Sequence, residues 1–215
     1  MSEFFLELFS EEVPANQQKK ARELLLQNFK IFFEKKNITF KKNFCFSTPN
    51  RLGIIFGEIK PLIHQNEQEI RGPKVDAPEK AVEGFLKSNN FQKKDLFQKE
   101  NEKGLFYFVK KPSKMKKVFD ILKDNIPFIL DNISWKKSMK WGEFELYWAR
   151  PLKSILAIFD GKSLNFNFHH LVSSNTTYLD KDYEEKSKSF KNFNFYIFYF
   201  KKNNVILDQE IRKKK

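Results

Sequence analysis

Residues 4–9 read Phe4-Phe5-Leu6-Glu7-Leu8-Phe9, five apolar side chains around one carboxylate. Successive side chains of an extended chain point to opposite faces, so a run that is apolar on both faces reads as a strand covered on both sides. A carboxylate inside such a strand needs a cationic partner, because an unpaired buried charge is costly. Downstream, Ala21, Leu24, Leu25, Phe29, Phe32 and Phe33 recur at three and four residues, and Pro14 suits a first helical turn, which predicts a helix over 14–36. Ile38 to Phe46 alternates, Pro49-Asn50 breaks the pattern, and Leu52 to Ile59 follows as the second arm of an antiparallel hairpin. The first unit is therefore β-α-β-β, over residues 1–60.

A second α+β unit is expected over 61–172. Glu67 to Ile70 reads as a strand closed by Arg71-Gly72-Pro73, and Asp76 with Glu79 as a capping box opening a helix whose buried face holds Ala77, Ala81 and Phe85. Phe97 to Glu100 and Leu105 to Lys110 form a hairpin through Lys103-Gly104. Met115, Val118, Phe119 and Leu122 begin a helix that Pro127 must kink or restart. Ser154 to Phe159 and Leu164 to Phe168 flank the turn Asp160-Gly161. Beyond Leu171 the pattern degrades, so 173–215 reads as an irregular, truncated C-terminal segment, with Phe190 to Phe200 open to helix or strand and Val205 to Leu207 a short strand. The fold class is α+β, with mixed or antiparallel sheets and at least three packed helices.

Composition narrows the function. The 215 residues allow one large or two small domains. The only cysteine, Cys45, excludes a disulfide framework and fits a reducing compartment, and Glu3 and Glu7 near the start are foreign to a secretory signal. No apolar run approaches the ~20 residues of a membrane span, so no membrane partner is expected and the cytoplasm is the expected location. The formal charge is +13, enough to attract a polyanion. Only Arg22, Arg51, Arg71, Arg150 and Arg212 are arginine among the 40 basic residues, and Lys, Phe, Asn and Ile together make up 95 of the 215. A/T-rich codons account for much of that lysine excess. Its peak, +5 over 111–141, surrounds an apolar helical pattern, which suits an RNA-facing surface and an ordinary solvated helix face about equally.

No self-contained active site is visible. Gly161-Lys162-Ser163 ends like a phosphate loop, yet Leu156 stands where the first glycine is required, so it reads as a hairpin turn. His169 and His170 are adjacent and His64 is distant, an arrangement without metal-ligand spacing, and Cys45 reads as a small core residue. More informative are Arg51, Arg71 and Arg150, retained in turn-like contexts in a lysine-biased chain. A planar guanidinium can grip a phosphate or a carboxylate in two places, and the commoner use is tying a loop to a buried carboxylate such as Glu7 or Glu11.

Taken in order, several segments resemble the β subunit of the bacterial two-subunit glycyl-tRNA synthetase. They are Phe5-Leu6, Leu8 to Pro14, Thr48-Pro49-Asn50-Arg51-Leu52, Arg71-Gly72-Pro73, Ala81 with Gly84-Phe85, Ser138-Met139-Lys140-Trp141-Gly142, Ala149-Arg150-Pro151, Phe159-Asp160-Gly161 and Ser174-Asn175-Thr176-Thr177. Val205 to Asp208 with Arg212-Lys213 is similar to a later family segment. The resemblance implies the N-terminal part of a longer subunit in a cytoplasmic α2β2 heterotetramer. That assembly attaches glycine to tRNA with ATP and Mg as substrates. It also implies that the α subunit carries the catalytic site, with no catalytic residue, metal or cofactor on this chain. The chain departs from the family in three places. Asn50-Arg51 replaces a paired Arg, Lys140 replaces the Arg before Trp-Gly, and Tyr178 to Tyr183 replaces an Arg-Gly-His-Arg-Phe run. Candidate contacts to tRNA or the α subunit are Arg51, Arg71, Lys74, Lys136, Lys137, Lys140 and Arg150, as phosphate or carboxylate partners. Trp141 could stack on a base but is better placed in a core. A stand-alone basic RNA-binding module and a non-catalytic scaffold fragment remain as alternatives.

Overall fold

The computed structural model describes residues 2–65, 67–101, 104–180 and 187–214. The chain is α+β and divides into two compact units, Met1–Ile63 with Lys117–Lys215, and His64–Lys116. The division differs from the contiguous 1–60, 61–172 and 173–215 expected from the sequence. Residues 117–172 rejoin the first unit, because their apolar faces complete its core.

In the first unit, strand β1 (Ser2–Ser10) lies at the centre of a five-stranded antiparallel sheet. Helix α1 (Ala15–Lys35) is followed by β2 (Lys42–Thr48) and β3 (Arg51–Ile59), as the β-α-β-β pattern predicts. The sheet order is Lys162–Ser163, Leu152–Phe159, β1, β3, β2. Ile38 and Phe40 stay outside β2, yet Ile38 is buried and Phe40 packs against the core. One face of β1 sends Phe4, Leu6 and Leu8 into a core shared with Leu25, Phe29 and Phe33 of α1 and with Leu122, Ile126 and Leu130 of the helix Val118–Asp131. That helix runs through Pro127 as one element, its buried stripe outweighing the single backbone hydrogen bond the proline removes. Met115 lies before it, in the short strand Lys114–Lys117.

The opposite sheet face is covered by residues expected to be irregular. Phe193–Lys202 is a helix, started by the Asn192 side chain accepting from Phe195 N at 2.8 Å and by the Glu3 carboxylate accepting from Phe193 N at 2.8 Å. Its Phe193, Tyr196 and Phe200 pack with Phe5, Phe46, Leu156 and Phe190. Thr176–Tyr178 pairs with Ser187–Ser189, and Val205 to Leu207 is coil with Leu207 buried. Of the Tyr178 to Tyr183 segment, Lys181, Asp182 and Tyr183 lie outside the described residues, as do Lys103 and Lys215. The Asp160-Gly161 turn closes its hairpin with both residues at positive φ, 52° and 76°. Lys162–Ser163 pairs back there and Leu164 N donates to Ala157 O at 2.9 Å, whereas Asn167–Phe168 turns away to pair with Leu171–Val172.

Within the second layer sits Glu7, fully buried. Its Oε2 lies 3.2 Å from Arg51 Nε, and the hydroxyls of Thr177 and Tyr196 donate to its two carboxylate oxygens. The cationic partner demanded by the sequence of β1 is thus Arg51. Glu7 stands opposite Gly53 of β3, and Gly53 stands opposite Phe46 of β2. A Cβ on Gly53 would fall 2.2 Å from Phe46 Cζ, so only glycine leaves room for that ring.

The second unit is a three-stranded antiparallel sheet, Gln68–Lys74, Gly104–Lys111 and Leu96–Asn101, with Gly104–Lys111 central. Arg71-Gly72-Pro73 does not end the first strand. The strand continues to Lys74 through a register shift between Arg71 and Lys74, which accommodates the proline at an edge. The adjoining helix is Glu79–Asn89, with Pro78 at its N-cap and no capping side chain. Pro78 disfavours helical backbone at Ala77, which overrides the Asp76/Glu79 capping box. The buried face shifts accordingly to Val82 and Leu86, leaving Ala81 exposed and Phe85 half-buried.

Removing the cation would strand a buried carboxylate, so Arg51→Met should cost about 3–5 kcal/mol in urea unfolding. Burial pushes the Glu7 carboxyl above its ordinary value, and Arg51 followed by Thr177 pulls it back. A raised acid holds its proton more tightly when folded, so its contribution becomes more favourable as pH falls from above the folded value to the unfolded one. Arg51→Met raises that value further. The variant should therefore regain part of its deficit relative to the parent as the pH is lowered toward the ordinary carboxylate range, and an unchanged or growing deficit would contradict the assignment. Gly53→Ala, by overpacking Phe46, should cost about 1–3 kcal/mol by the same measurement.

Candidate interaction surface

The seven sequence candidates separate into an interior residue, a tether and two exposed groups. Arg51 is 3% exposed. Beyond Glu7, its Nη2 donates to the carbonyls of Tyr178 and, at 2.7 Å, Leu179, and its guanidinium carbon lies 4.6 Å from the Phe9 ring and 4.7 Å from the Phe200 ring. Burial lowers its pKa while Glu7 opposes the shift. Arg51 is therefore corrected from a contact candidate to an interior group, because it is buried against Glu7, the Tyr178 and Leu179 carbonyls and the Phe9 and Phe200 rings. Arg150 is a half-exposed tether whose Nε donates to Glu12 O at 3.1 Å, while Glu11 N donates to Pro151 O nearby at 3.0 Å.

Lys136, Lys137 and Lys140 form an exposed basic group. They lie on the segment leaving the helix Val118–Asp131, and tryptophans fix that segment from beneath. The Trp135 ring lies 5.0 Å from the Trp148 ring, edge-on, and Trp141 Nε1 donates to Trp148 O at 2.9 Å. Trp141 thus has a packed role rather than a free ring. Met139–Lys140 pairs with Tyr147–Trp148, so Lys140 stands directly opposite Tyr147, which is 63% exposed. Among the described residues none of the three lysines has an acidic side chain within ion-pair distance, although Glu143 and Glu145 are exposed on the same hairpin. Beside them Phe144 stacks on His170, with centroids 3.7 Å apart and planes 12° apart. Sequence reading missed these exposed aromatics, since a phenylalanine-rich chain gives no local mark of which rings stay outside.

Arg71 and Lys74 are exposed in the second unit. The Arg71 guanidinium lies 3.6 Å above the Phe106 ring, and Lys74 Nζ lies 5.9 Å from the same ring. Among the described residues no three His, Cys, Asp or Glu side chains are grouped to hold a metal ion, and no helix is long and apolar enough to cross a membrane. Cys45 is half-buried, and burial raises its pKa, which leaves the thiol a poor nucleophile. A groove of about 1040 Å³ in the first unit is lined mainly by apolar groups, among them Phe44, Ile55, Phe193, Ile197, Leu207 and Ile211. Its rim holds Lys42 3.0 Å from Glu58, an already paired set of charges.

The exposed basic groups are thus Lys136, Lys137 and Lys140 in the first unit and Arg71 and Lys74 in the second, while Arg51 is buried. Comparison with known proteins puts the chain in the aminoacyl-tRNA synthetase class, since the family model described as glycyl-tRNA synthetase beta subunit matches residues 4–215. The chain belongs to the glycyl-tRNA synthetase beta subunit family. It is 40% identical over 209 residues to the glycine–tRNA ligase beta subunit of Rickettsia prowazekii (strain Madrid E), an alignment covering 97% of this chain and 31% of that protein. It is 38% identical over 212 residues to the corresponding subunit of Rickettsia conorii (strain ATCC VR-613 / Malish 7), covering 99% and 32%. The chain thus spans about a third of the length of the curated relatives it matches.

Stability measurements separate tethers from free charges. Lys136→Ala, Lys137→Ala and Lys140→Ala should each shift unfolding free energy by no more than about 0.5 kcal/mol. Arg150→Ala, which removes the donor to Glu12 O, should cost about 1 kcal/mol.

Proposed function

We propose that the chain forms part of the β subunit of a glycine–tRNA ligase, contributing contacts to tRNA and to the α subunit of a cytoplasmic α2β2 heterotetramer. Glycine activation with ATP and Mg then takes place on the α subunit. The observation that carries this reading is the family match across 4–215, on a chain whose Lys136, Lys137 and Lys140 are exposed and unpaired among the described residues. Lysine ammonium groups are compact, hydrated point charges. They neutralise phosphates and position a nucleic acid without reading its bases.

Two measurements test it. In the presence of an α subunit the chain should co-migrate on a sizing column, whereas a stand-alone RNA-binding module would migrate alone. Affinity for tRNA should fall linearly with salt on logarithmic axes, and replacing Lys136, Lys137 and Lys140 by Ala should reduce that slope by about one for each phosphate no longer neutralised. A slope near zero in the parent would leave only the scaffold reading. Glycine attachment by the isolated chain would overturn the proposal outright.

A further inference from the structure

Within the second unit, the helix Glu79–Asn89 packs on one face of the sheet. Ile70, Leu96, Tyr107 and Val109 pack with Val82 and Leu86 of the helix Glu79–Asn89. Alternation along the strands therefore turns their neighbours to the other side. The register places Arg71 and Phe97 opposite Phe108, and Lys99 and Lys74 opposite Phe106. The other face is thus a row of phenylalanines interleaved with cations. The rings themselves are capped: Phe106 is 5% and Phe108 8% exposed, and Lys99 Nζ lies 5.9 Å from the Phe108 ring and Lys110 Nζ 5.7 Å from the Phe97 ring. What solvent meets is Arg71, whose guanidinium carbon lies 3.6 Å from the centre of the Phe106 ring, together with Lys74 and the exposed Lys99–Glu69 and Lys110–Glu67 pairs.

The charge on this face is unbalanced. Lys99 pairs with Glu69 at 2.6 Å and Lys110 with Glu67 at 3.5 Å, while Arg71 and Lys74 have no acidic partner among the described residues. A guanidinium fixed on an aromatic ring has its inner face desolvated and its outer face free, which is the geometry that stacks on a nucleobase. Three strands about 4.8 Å apart offer a surface as wide as two or three nucleotides. We propose that this face binds an unpaired stretch of RNA, with a base stacked on the outer plane of Arg71 and a phosphate met by Lys74. This inference rests on the tRNA reading above and names the kind of RNA segment this part of the chain takes.

The test uses the full chain and fluorescence anisotropy, with an unstructured single-stranded RNA of about ten nucleotides and a blunt duplex of the same length as probes. The single strand should bind about tenfold more tightly than the duplex. Arg71→Lys keeps the charge and loses the plane, so it should weaken single-strand binding about fivefold or more while leaving duplex binding and the thermal transition unchanged. Lys80→Ala, which removes a charge from the exposed side of the helix, should change neither the preference for the single strand nor the thermal transition. Equal affinity for both probes, or single-strand binding by Arg71→Lys as tight as the parent, would overturn the inference. So would unchanged RNA binding with abolished α-subunit co-migration, which would make the face a protein-docking surface. Salt-dependent binding of intact tRNA by the parent distinguishes the two claims: if it persists while Arg71→Lys has no effect, only the stacking face is wrong, and if it is absent both fall.

Discussion

Glu7 is an ionised or ionisable group in the middle of a strand that is otherwise apolar on both faces, and the first unit is arranged around satisfying it. A desolvated carboxylate must find a cation and donors with directional geometry. Here they come from β3 through Arg51, from the strand Thr176–Tyr178 through Thr177, and from the helix Phe193–Lys202 through Tyr196. Arg51 carries the constraint further, into the carbonyls of Tyr178 and Leu179. The aromatic layer of Phe5, Phe46, Phe190, Phe193 and Phe200 supplies non-directional burial. The Glu7 network decides where along the sheet the last third of the chain sits.

That interior requirement shapes what remains for the surface. In this unit Arg51 is taken up by Glu7 and backbone carbonyls, and half-exposed Arg150 holds Glu12 O through its Nε. The fully exposed candidates of this unit are Lys136, Lys137 and Lys140, on a segment packed through Trp135, Trp141 and Trp148. Point charges on a fixed support suit phosphate positioning more than base reading. The second unit differs, since Arg71 is held on the outside of its sheet by Phe106 and keeps one guanidinium face open.

Legibility in the sequence varies with the range of the interaction. The stripe of α1, the strand after Pro49-Asn50 and the Asp160-Gly161 turn are local patterns and appear where the sequence places them, whereas the alternation from Ile38 begins four residues before β2 does. The capping pattern at Asp76 puts Ala81 on the buried face only if the limits Pro78 imposes on Ala77 are ignored. Pro127 reads as a break, but the buried stripe of Ile126, Ile129 and Leu130 carries the helix through it. Phe193 to Lys202 has aromatic residues all round, so no period distinguishes helix from strand. Lys136, Lys137 and Lys140 are legible as a charge cluster, whereas the exposure of Tyr147 and Phe144 is not.

By itself the sequence determined that a strand at 4–9 is covered on both sides, that its carboxylate requires a cation, and that the ordered motifs from Phe5 to Thr177 belong to one family. Which arginine meets Glu7, and that residues 117–215 close the unit begun by 1–63 while 64–116 forms another, was decided only in three dimensions. Periodicity records which side of an element is apolar. It holds no information about which distant group will be desolvated against it, because that choice depends on the packing of segments separated by most of the chain.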